Sequence, residues 1–195
     1  MKLTTNLYEE RYTDLNQFYW YRNAFSDEEI QEIEKLASNM EPEVATAGRE
    51  GSGRVMKVRT SEVRWMEYDD STAWIYQKLG QYISTANKEL WNFDWRGNSD
   101  TIQHTTYYAT ENGHYNWHID VGNGTMSMRK ISAVLMLNDD YEGGELQLKS
   151  IGEDLEQKKG NLYIFPSYLM HRVTPVTKGT RKSLVIWVGG PRPFK

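Results

Sequence analysis

The feature that most constrains this chain's fold is a series of short, β-prone runs that begins near residue 100. The runs are rich in Thr, Tyr, Val and Ile, and turn signals such as ENG, GNG and KKGN separate them. They occupy residues 102–109, 114–120, 130–137, 144–148, 161–165, 170–176 and 181–188. Short strands at this spacing predict a β-sandwich or a barrel, and a jelly roll is one of the options.

Two helices are predicted before these strands. In residues 26–38, Ser26 and Glu29 have the spacing of a capping box, and apolar residues follow at helical intervals. A second apolar stripe predicts a helix over about 71–90. Residues 184–188 read LVIWV, a strand that is apolar on both faces, so we expect the helices to cover one sheet from outside. The expected class is therefore α+β, mostly β with flanking helices.

Between the helices, residues 41–54 are polar and rich in glycine, which predicts a loop. Residues 55–60, VMKVRT, predict a strand. The length of 195 residues suits one domain over 1–195, with helical support over about 1–95 and a β core over about 100–190.

Composition excludes several classes of protein and site. The net charge of −4 gives no general attraction for nucleic acid, and no apolar stretch of about 18 residues predicts membrane insertion. With no cysteine, the chain has no disulfide, zinc–thiolate site, iron–sulfur cluster or thiol nucleophile. These features fit a cytoplasmic protein. Any metal must be held by imidazole and oxygen.

The HID sequence at 118–120 is the first candidate for a metal site. In a strand, His118 and Asp120 point to the same face, which makes half of a chelate, although a histidine satisfied in a core or a surface turn is the alternative. In a jelly roll the second and seventh core strands are antiparallel neighbours, which would bring His171 beside this pair. Two imidazoles and a carboxylate then form a facial triad, as in non-haem Fe(II) oxygenases. Taken singly, His171 is also explained by packing after a proline turn.

Arg181 lies ten residues after His171 and opens the last strand. By alternation it would point inward, together with Ser183, Val185 and Trp187. A guanidinium inside a β-sandwich is costly unless it meets an anion, and its planar fork matches a carboxylate. A dicarboxylate that chelates the metal at its other end would supply that anion. The alternative is an arginine exposed at the end of its strand.

These residues, in this order, resemble the Fe(II)/2-oxoglutarate-dependent dioxygenases. GGEL at 143–146 and FP at 165–166 add to the likeness, and the nearest branch is that of the prolyl 4-hydroxylases, which has bacterial and phage members. Tyr108 and Trp187 match pocket residues of that branch, although each is otherwise explained as a core residue. VRTSEV at 58–63 resembles the strand that leads into the family's core. Some members carry a further tyrosine after the HxD loop, where this chain reads ISAVLMLND.

The resemblance implies a double-stranded β-helix (jelly-roll) core and a complete set of cofactors. Fe(II) would be held by His118, Asp120 and His171, and 2-oxoglutarate and O2 would be cosubstrates, with ascorbate as an accessory reductant. Arg181 would bind the distal carboxylate of 2-oxoglutarate. The pocket around that carboxylate would include Tyr108, Ser183 and Trp187.

The reaction implied is hydroxylation of a C–H bond, coupled to conversion of 2-oxoglutarate to succinate and CO2. The expected substrate is a prolyl residue in a peptide or protein, and the expected setting is the cytoplasm of a bacterial or phage-infected cell. Loops 41–54 and 121–129 are expected to face the substrate as lids.

Three alternatives stay open beside this reading. The first is a hydroxylase of a free amino acid or other small molecule. The second is oxidative demethylation of nucleic acid, which the acidic net charge disfavours. The third is a non-catalytic jelly-roll module whose metal is structural or absent.

Overall fold

The computed structural model of the chain describes residues 18–45, 58–149 and 155–191. Within these residues there are two α-helices, α1 (Asp27–Ser38) and α2 (Ala73–Ala86), and fourteen strands, most of them short. The strands are β1 (Tyr19–Tyr21), β2 (Glu43–Val44), β3 (Arg59–Thr60), β4 (Glu62–Met66), β5 (Gly97–Asn98), β6 (Ile102–Tyr108), β7 (His114–His118), β8 (Arg129–Met136), β9 (Glu142–Gly143), β10 (Leu146–Leu148), β11 (Leu162–Pro166), β12 (His171–Val173), β13 (Val176–Lys178) and β14 (Thr180–Gly189).

The strands form two facing antiparallel sheets and one short ribbon. The large sheet has the order β1-β11-β8-β14-β6-β4-β2, with β5 paired to β14, and the small sheet has the order β10-β12-β7-β3. Strands β13 and β9 make the ribbon. This is a jelly roll with helices on one side, so the expected fold class is confirmed. Strands β7 and β12 are antiparallel neighbours, with His171 opposite His118, as the jelly-roll argument predicted.

The helices pack on the outer face of the large sheet. Ser26 caps α1 through the reciprocal hydrogen bonds with Glu29 that the sequence predicted. Buried apolar residues of both helices join residues of β8 and β14 in one cluster; among them are Ile33, Leu79, Ile83, Leu135 and Ile186. The second helix is shorter than predicted. After Ala86 it becomes a single π-helical turn, Asn87–Trp91, which ends at Asn92 with a left-handed φ of 51°.

Alternation along β14 sorts its residues between the two sides of the large sheet. Leu184, Ile186 and Val188 face the helices. The intervening residues line a cavity between the sheets; they are Arg181, Ser183, Val185 and Trp187. This is the set that alternation predicted to point inward, and it explains why the LVIWV run is apolar on both faces.

Several element boundaries differ from the expectation. The run 170–176 divides into β12 and β13, because Pro175 has no N–H group to continue the ladder. The predicted loop 41–54 begins with strand β2, and its residues 46–54 lie outside the described part of the chain. Of the predicted strand 55–60, only Arg59–Thr60 is described as a strand, and residues 55–57 are outside the described part.

No helix within the described residues combines the length and the apolar character needed to cross a membrane.

Candidate active site

Two histidines and an aspartate converge where β7 and β12 meet. His118 is the last residue of β7 and His171 is the first residue of β12, and the two residues are paired across the ladder. Asp120 follows two residues after His118. Its Oδ1 lies 3.6 Å from His118 Nε2, and its Oδ2 lies 3.5 Å from His171 Nε2. One ligand atom from each residue lies within 4.8 Å of the others.

The tautomers of both histidines follow from their hydrogen bonds. His118 Nδ1 lies 2.7 Å from the carbonyl oxygen of Asn116, and His171 Nδ1 lies 2.9 Å from that of Leu169. A carbonyl oxygen only accepts, so each Nδ1 carries the proton and each Nε2 offers a lone pair to the cluster. Two imidazoles with free lone pairs and one carboxylate fit a divalent transition metal such as Fe(II).

The carboxylate of Asp120 is fixed by groups around it. Ser132 Oγ donates a hydrogen bond of 2.6 Å to Oδ2, and the Ser167 hydroxyl lies 2.9 Å from that of Ser132. The backbone carbonyl of Asp120 accepts from Arg129, which also pairs with Asp100 at 2.8 Å. The carboxylate is therefore oriented before any metal binds.

Burial and mutual charge set the protonation of the cluster. Burial, followed by the neighbouring His171, lowers the pKa of His118 to about 4. Burial alone would raise the pKa of Asp120, but His171, His118 and the Ser132 hydrogen bond outweigh it and lower that pKa. At neutral pH, His118 is therefore neutral and Asp120 is ionised, which are the forms that coordinate metals.

A bulge in β7 places an aromatic wall against the cluster. His118 pairs with His171, and Tyr115 pairs with Val173. Between these two pairs β7 has two residues where β12 has one, which is a β-bulge. The extra residue turns Tyr115 to the same face as His118, and the two rings stack with centroids 3.4 Å apart and an interplanar angle of 11°. Arg59 lies over the Tyr115 ring, with its Cζ 4.9 Å from the ring centroid.

Arg181 faces the cluster across the cavity from the large sheet. Its side chain is 1% exposed, and among the described residues no carboxylate lies within salt-bridge distance of it. It donates to Ser183 Oγ at 3.1 Å and contacts Met136 Sδ at 3.5 Å, while its Nε has no partner. A buried guanidinium with an unmet donor fits an anionic ligand such as the distal carboxylate of 2-oxoglutarate.

The structure brings most of the candidate residues to one cavity. His118, Asp120, His171 and Arg181 line it. Two of the three further pocket candidates, Ser183 and Trp187, also line it. The Trp187 ring carries Arg129 on its face, with 4.0 Å between Cζ and the ring centroid.

Tyr108 requires a correction. It lies on the opposite face of the large sheet, where its hydroxyl is 3.4 Å from a Glu62 carboxylate oxygen. The cavity is lined instead by Tyr107, which pairs with Arg181 across β6 and β14 and whose ring centroid lies 5.4 Å from Arg181 Cζ. Spacing along the chain placed the tyrosine on the right strand, but a shift of one residue exchanges the two faces.

Sequence reasoning missed other cavity residues. Tyr115, Arg59 and Gln103 line the cavity, and Ser132 holds the metal-facing aspartate. Tyr107 points into the cavity because it pairs with Arg181 across β6 and β14, and this pairing register is known only from the structure. The sequence has no pattern that predicts the bulge by which Tyr115 comes to point into the cavity.

The fold and the site together define a class of protein. A jelly roll with a facial His-Asp-His cluster on one sheet and a buried arginine on the other has the architecture of non-haem Fe(II) oxygenases. Comparison with known proteins agrees. Residues 102–189 match the family model of the 2OG-Fe(II) oxygenase superfamily.

Known hydroxylases match the same part of the chain. A PKHD-type hydroxylase of Colwellia psychrerythraea is 40% identical over 87 residues, which cover 41% of this chain and 39% of that protein. One of Xylella fastidiosa is 40% identical over 92 residues, with 40% of each chain covered. The match thus spans about two fifths of the length of these relatives.

Solved structures share the fold over nearly the whole chain. A Pseudomonas putida prolyl-4-hydroxylase has a TM-score of 0.68 at 17% identity, and covers 94% of this chain and 98% of its own. A prolyl hydroxylase from Trichoplax adhaerens, solved with a peptide fragment of hypoxia inducible factor, has a TM-score of 0.70 at 18% identity, with 97% and 94% covered.

The family match is confined to residues 102–189, whereas the fold of nearly the whole chain is shared with the solved prolyl hydroxylases. The superfamily implies Fe(II), 2-oxoglutarate and O2, and the His118, Asp120 and His171 cluster fits the iron.

Proposed function

We propose that this protein is a 2-oxoglutarate-dependent hydroxylase that acts on a C–H bond of a prolyl residue in a peptide or protein. One observation carries the proposal: the buried Arg181, without a carboxylate partner among the described residues, faces the His118, Asp120 and His171 cluster across a single cavity. A dicarboxylate keto acid that chelates a metal at one end presents its other carboxylate to that guanidinium.

Each residue has a separate task in this reading. His118, Asp120 and His171 hold the metal on one side and leave its other side to ligands. Arg181 and Ser183 orient the distal carboxylate. When bound, Fe(II) would supply the redox chemistry that divides O2 between two products: one oxygen atom enters succinate as 2-oxoglutarate loses CO2, and the other is inserted into the substrate's C–H bond. Trp187 and Tyr115 wall the cavity and exclude water.

A peptidyl substrate is supported by likeness of fold. The Trichoplax prolyl hydroxylase that shares this fold is described with a peptide bound. Loops 41–54 and 121–129 as lids, ascorbate as a reductant and a cytoplasmic location remain predictions from the sequence.

The position of Arg59 supports a second candidate for the substrate, a free amino acid. Arg59 lines the cavity, donates to Ser61 at 2.7 Å and has no carboxylate partner among the described residues. A cation at this position would suit the carboxylate of a small substrate. The two candidates share their chemistry and differ only in what fills the mouth of the cavity.

The test is turnover with a substrate panel. Purified protein with Fe(II), 2-oxoglutarate, ascorbate and O2 should release succinate and add one oxygen mass to proline-containing peptides, measured by mass spectrometry. Free L-proline and other amino acids form the second arm, and oxygen transfer to these alone would select the small-molecule candidate. If no peptide or amino acid of the panel caused succinate to be released from 2-oxoglutarate, the result would favour a non-catalytic metal-binding module.

The Arg181→Ala variant tests the assignment of the cavity. We expect its KM for 2-oxoglutarate to rise by about ten-fold or more, because the distal carboxylate loses its charged partner. Arg172→Ala is the control, since Arg172 lies on the outer face of the small sheet over Trp117. An unchanged KM in Arg181→Ala would remove the assignment of Arg181.

A further inference from the structure

A second cavity, here named the outer cavity, lies on the face of the large sheet opposite the metal cluster. It has a volume of about 290 Å³ and is enclosed by α1 and by strands β4, β6 and β14. Its lining includes Glu34, Arg64, His104, Tyr108 and Lys182. Apart from Ala37, every lining residue carries a polar group in its side chain. The volume is close to the lower end of the range for small-molecule sites, roughly 300–1,000 Å³, and the lining suits a polar ligand.

Two buried polar atoms at the outer cavity have no hydrogen-bond partner among the described residues. One is Nδ1 of His104, which is 3% exposed, and the other is Nε of Arg64. The two residues are paired directly across β4 and β6. Paired residues of an antiparallel ladder have their Cβ atoms roughly 5 Å apart, so one small ligand can contact both side chains. Buried polar atoms without partners are rare, and two on neighbouring strands indicate a missing ligand group.

Glu34 determines which kind of group His104 requires. Burial opposes ionisation of Glu34, but His104 and Lys182 outweigh it and lower its pKa to about 2. An ionised carboxylate only accepts, so His104 Nε2, which lies 2.8 Å from Glu34 Oε1, carries the proton. In the neutral ring, the common form of a histidine above pH 7, Nδ1 is then an acceptor. The group that His104 lacks is therefore a donor.

Arg64 requires the opposite kind of group. Its Nη1 pairs with a carboxylate oxygen of Glu62. The other side of the guanidinium, formed by Nε and Nη2, is a fork that can bind a carboxylate through two parallel hydrogen bonds. Glu34, the carboxylate that lines the outer cavity, is already engaged by His104 and Lys182. The group that Arg64 lacks is therefore a carboxylate from outside the described residues.

We propose that the outer cavity binds a small carboxylic acid with a hydroxyl or ammonium group on the carbon next to the carboxylate. The carboxylate meets the fork of Arg64, and the adjacent donor meets His104 Nδ1. 2-Hydroxy acids and 2-amino acids share this chemistry.

The large sheet separates this site from the metal cluster. Thr180 and Lys182 line the outer cavity, whereas Arg181 between them lines the catalytic one. On β6, Tyr108 and Tyr107 are divided in the same way. The inference therefore does not depend on the proposed function, and a ligand of the outer cavity needs no metal.

The test uses three acids that share one carbon skeleton. On the carbon beside the carboxylate, L-lactate has a hydroxyl, L-alanine has an ammonium and propionate has only hydrogen. Binding to the 195-residue chain without metal, at pH 7.5, is measured by NMR titration. We expect L-lactate or L-alanine to bind about ten-fold more tightly than propionate, because only they can donate to Nδ1. The tighter of the two identifies the class of ligand, whereas equal affinity for all three acids, or binding of none, would overturn the proposal.

Two variants test the two contacts separately. A glutamine amide can still donate to Glu34 but lacks Nδ1, so His104→Gln should reduce the affinity for the preferred acid to that for propionate. Arg64→Lys keeps a positive charge beside Glu62 but loses the fork, so it should weaken binding of all three acids by about ten-fold. If neither variant changed binding, the acids would not occupy the outer cavity.

Arg181→Ala is the matched control, because Arg181 is a buried arginine of the same sheet that faces the other cavity. We expect it to leave the affinity for all three acids unchanged. Loss of binding in Arg181→Ala would mean that the acids bind in the catalytic cavity, and would overturn the proposal.

Discussion

At the scale of single residues, the site depends on groups that fix its ligands as much as on the ligands. Ser132 is the clearest case, because its hydroxyl holds Asp120 Oδ2 while both histidines are held by backbone carbonyls. A carboxylate freed from this hydrogen bond can rotate away from the metal position.

Ser132→Ala should therefore weaken metal binding. We expect the Kd for Mn(II) to rise by about ten-fold, within the range found for other residues that hold a metal ligand. The measurement is a titration of the metal-free protein by electron paramagnetic resonance.

Ser167→Ala is the companion variant, since Ser167 contacts Ser132 but not the carboxylate. It should change the Kd by less than Ser132→Ala. Equal effects of the two variants would show that the hydrogen bond to Asp120 is not the cause.

The residues that could be predicted are those whose position follows from alternation or from chemistry. His118, Asp120, His171 and the inward residues of β14 are of this kind. Tyr115 could not be predicted, because the bulge that turns it inward has no sequence signature. Tyr108 was misplaced because a spacing along the chain does not fix which face a residue occupies.

At the scale of elements, the first helix is tied to the large sheet by charge as well as by its apolar face. Glu34 of α1 accepts a hydrogen bond of 2.8 Å from His104 Nε2 and also pairs with Lys182. Burial opposes its ionisation, yet these two partners lower the pKa of Glu34 to about 2, from an ordinary value of 4.5.

This shift predicts how stability depends on pH. A carboxyl with a lowered pKa in the folded state stabilises fully above its unfolded pKa of 4.5 and loses that contribution as the pH falls toward 2. Glu34→Gln should therefore lower the free energy of unfolding at pH 7 by about 2 kcal/mol. The difference from the unsubstituted protein should shrink below pH 4.5, as measured by urea unfolding.

Glu32→Gln on the same helix serves as the control. Glu32 pairs with Lys35 three residues on, and both side chains are largely exposed. Such a pair contributes little, so we expect a change within about 0.5 kcal/mol. A loss in Glu34→Gln no larger than this would contradict the assigned role of Glu34.

The turn between β9 and β10 offers a second element-scale prediction. Gly144→Ala would place a methyl group against the Arg181 stem and the Tyr141 ring, at a backbone φ of +65°. We expect a loss of about 1–2 kcal/mol in stability and weaker binding of 2-oxoglutarate. Urea unfolding and calorimetry on the same sample check both, and tight binding by the variant would show that the contact can relax.

Element prediction succeeded where a pattern was long enough to read. Helix α1 and the core strands from β6 onward were found close to their actual bounds. The two- and three-residue strands β2, β5, β9 and β13 are fixed by pairing across the sheet edges, not by their own sequence. No pattern two residues long carries that information.

At the scale of the whole molecule, the site joins the two sheets. Two metal ligands lie on the small sheet, whereas Arg181 lies on the large sheet. A ligand that touches both sides stabilises the folded state by mass action, because the unfolded chain cannot form either half.

Ligand binding should therefore raise stability in two separable steps. Mn(II) at a hundred times its Kd should add about 2.7 kcal/mol to the free energy of unfolding, and 2-oxoglutarate should add a further increment. Arg181→Ala should keep the first step and lose most of the second, as followed by urea unfolding.

His171→Ala should lose both steps, while its unfolding without ligands stays close to that of the unsubstituted protein. If Mn(II) still raised the free energy of unfolding of His171→Ala, the ion would bind at a site other than the one assigned.

The extra residue in β7 also bears on how this strand tolerates changes in length. In an ordinary strand, removing one residue inverts the facing of everything beyond it. Between Tyr115 and His118 the opposite holds, since the single β12 residue between the two pairs already opposes two residues of β7. Excising the exposed Trp117 would leave equal counts on both strands, so both pairs with β12 keep their partners. Strand β7 thus has one residue more than its pairing with β12 requires, directly before His118.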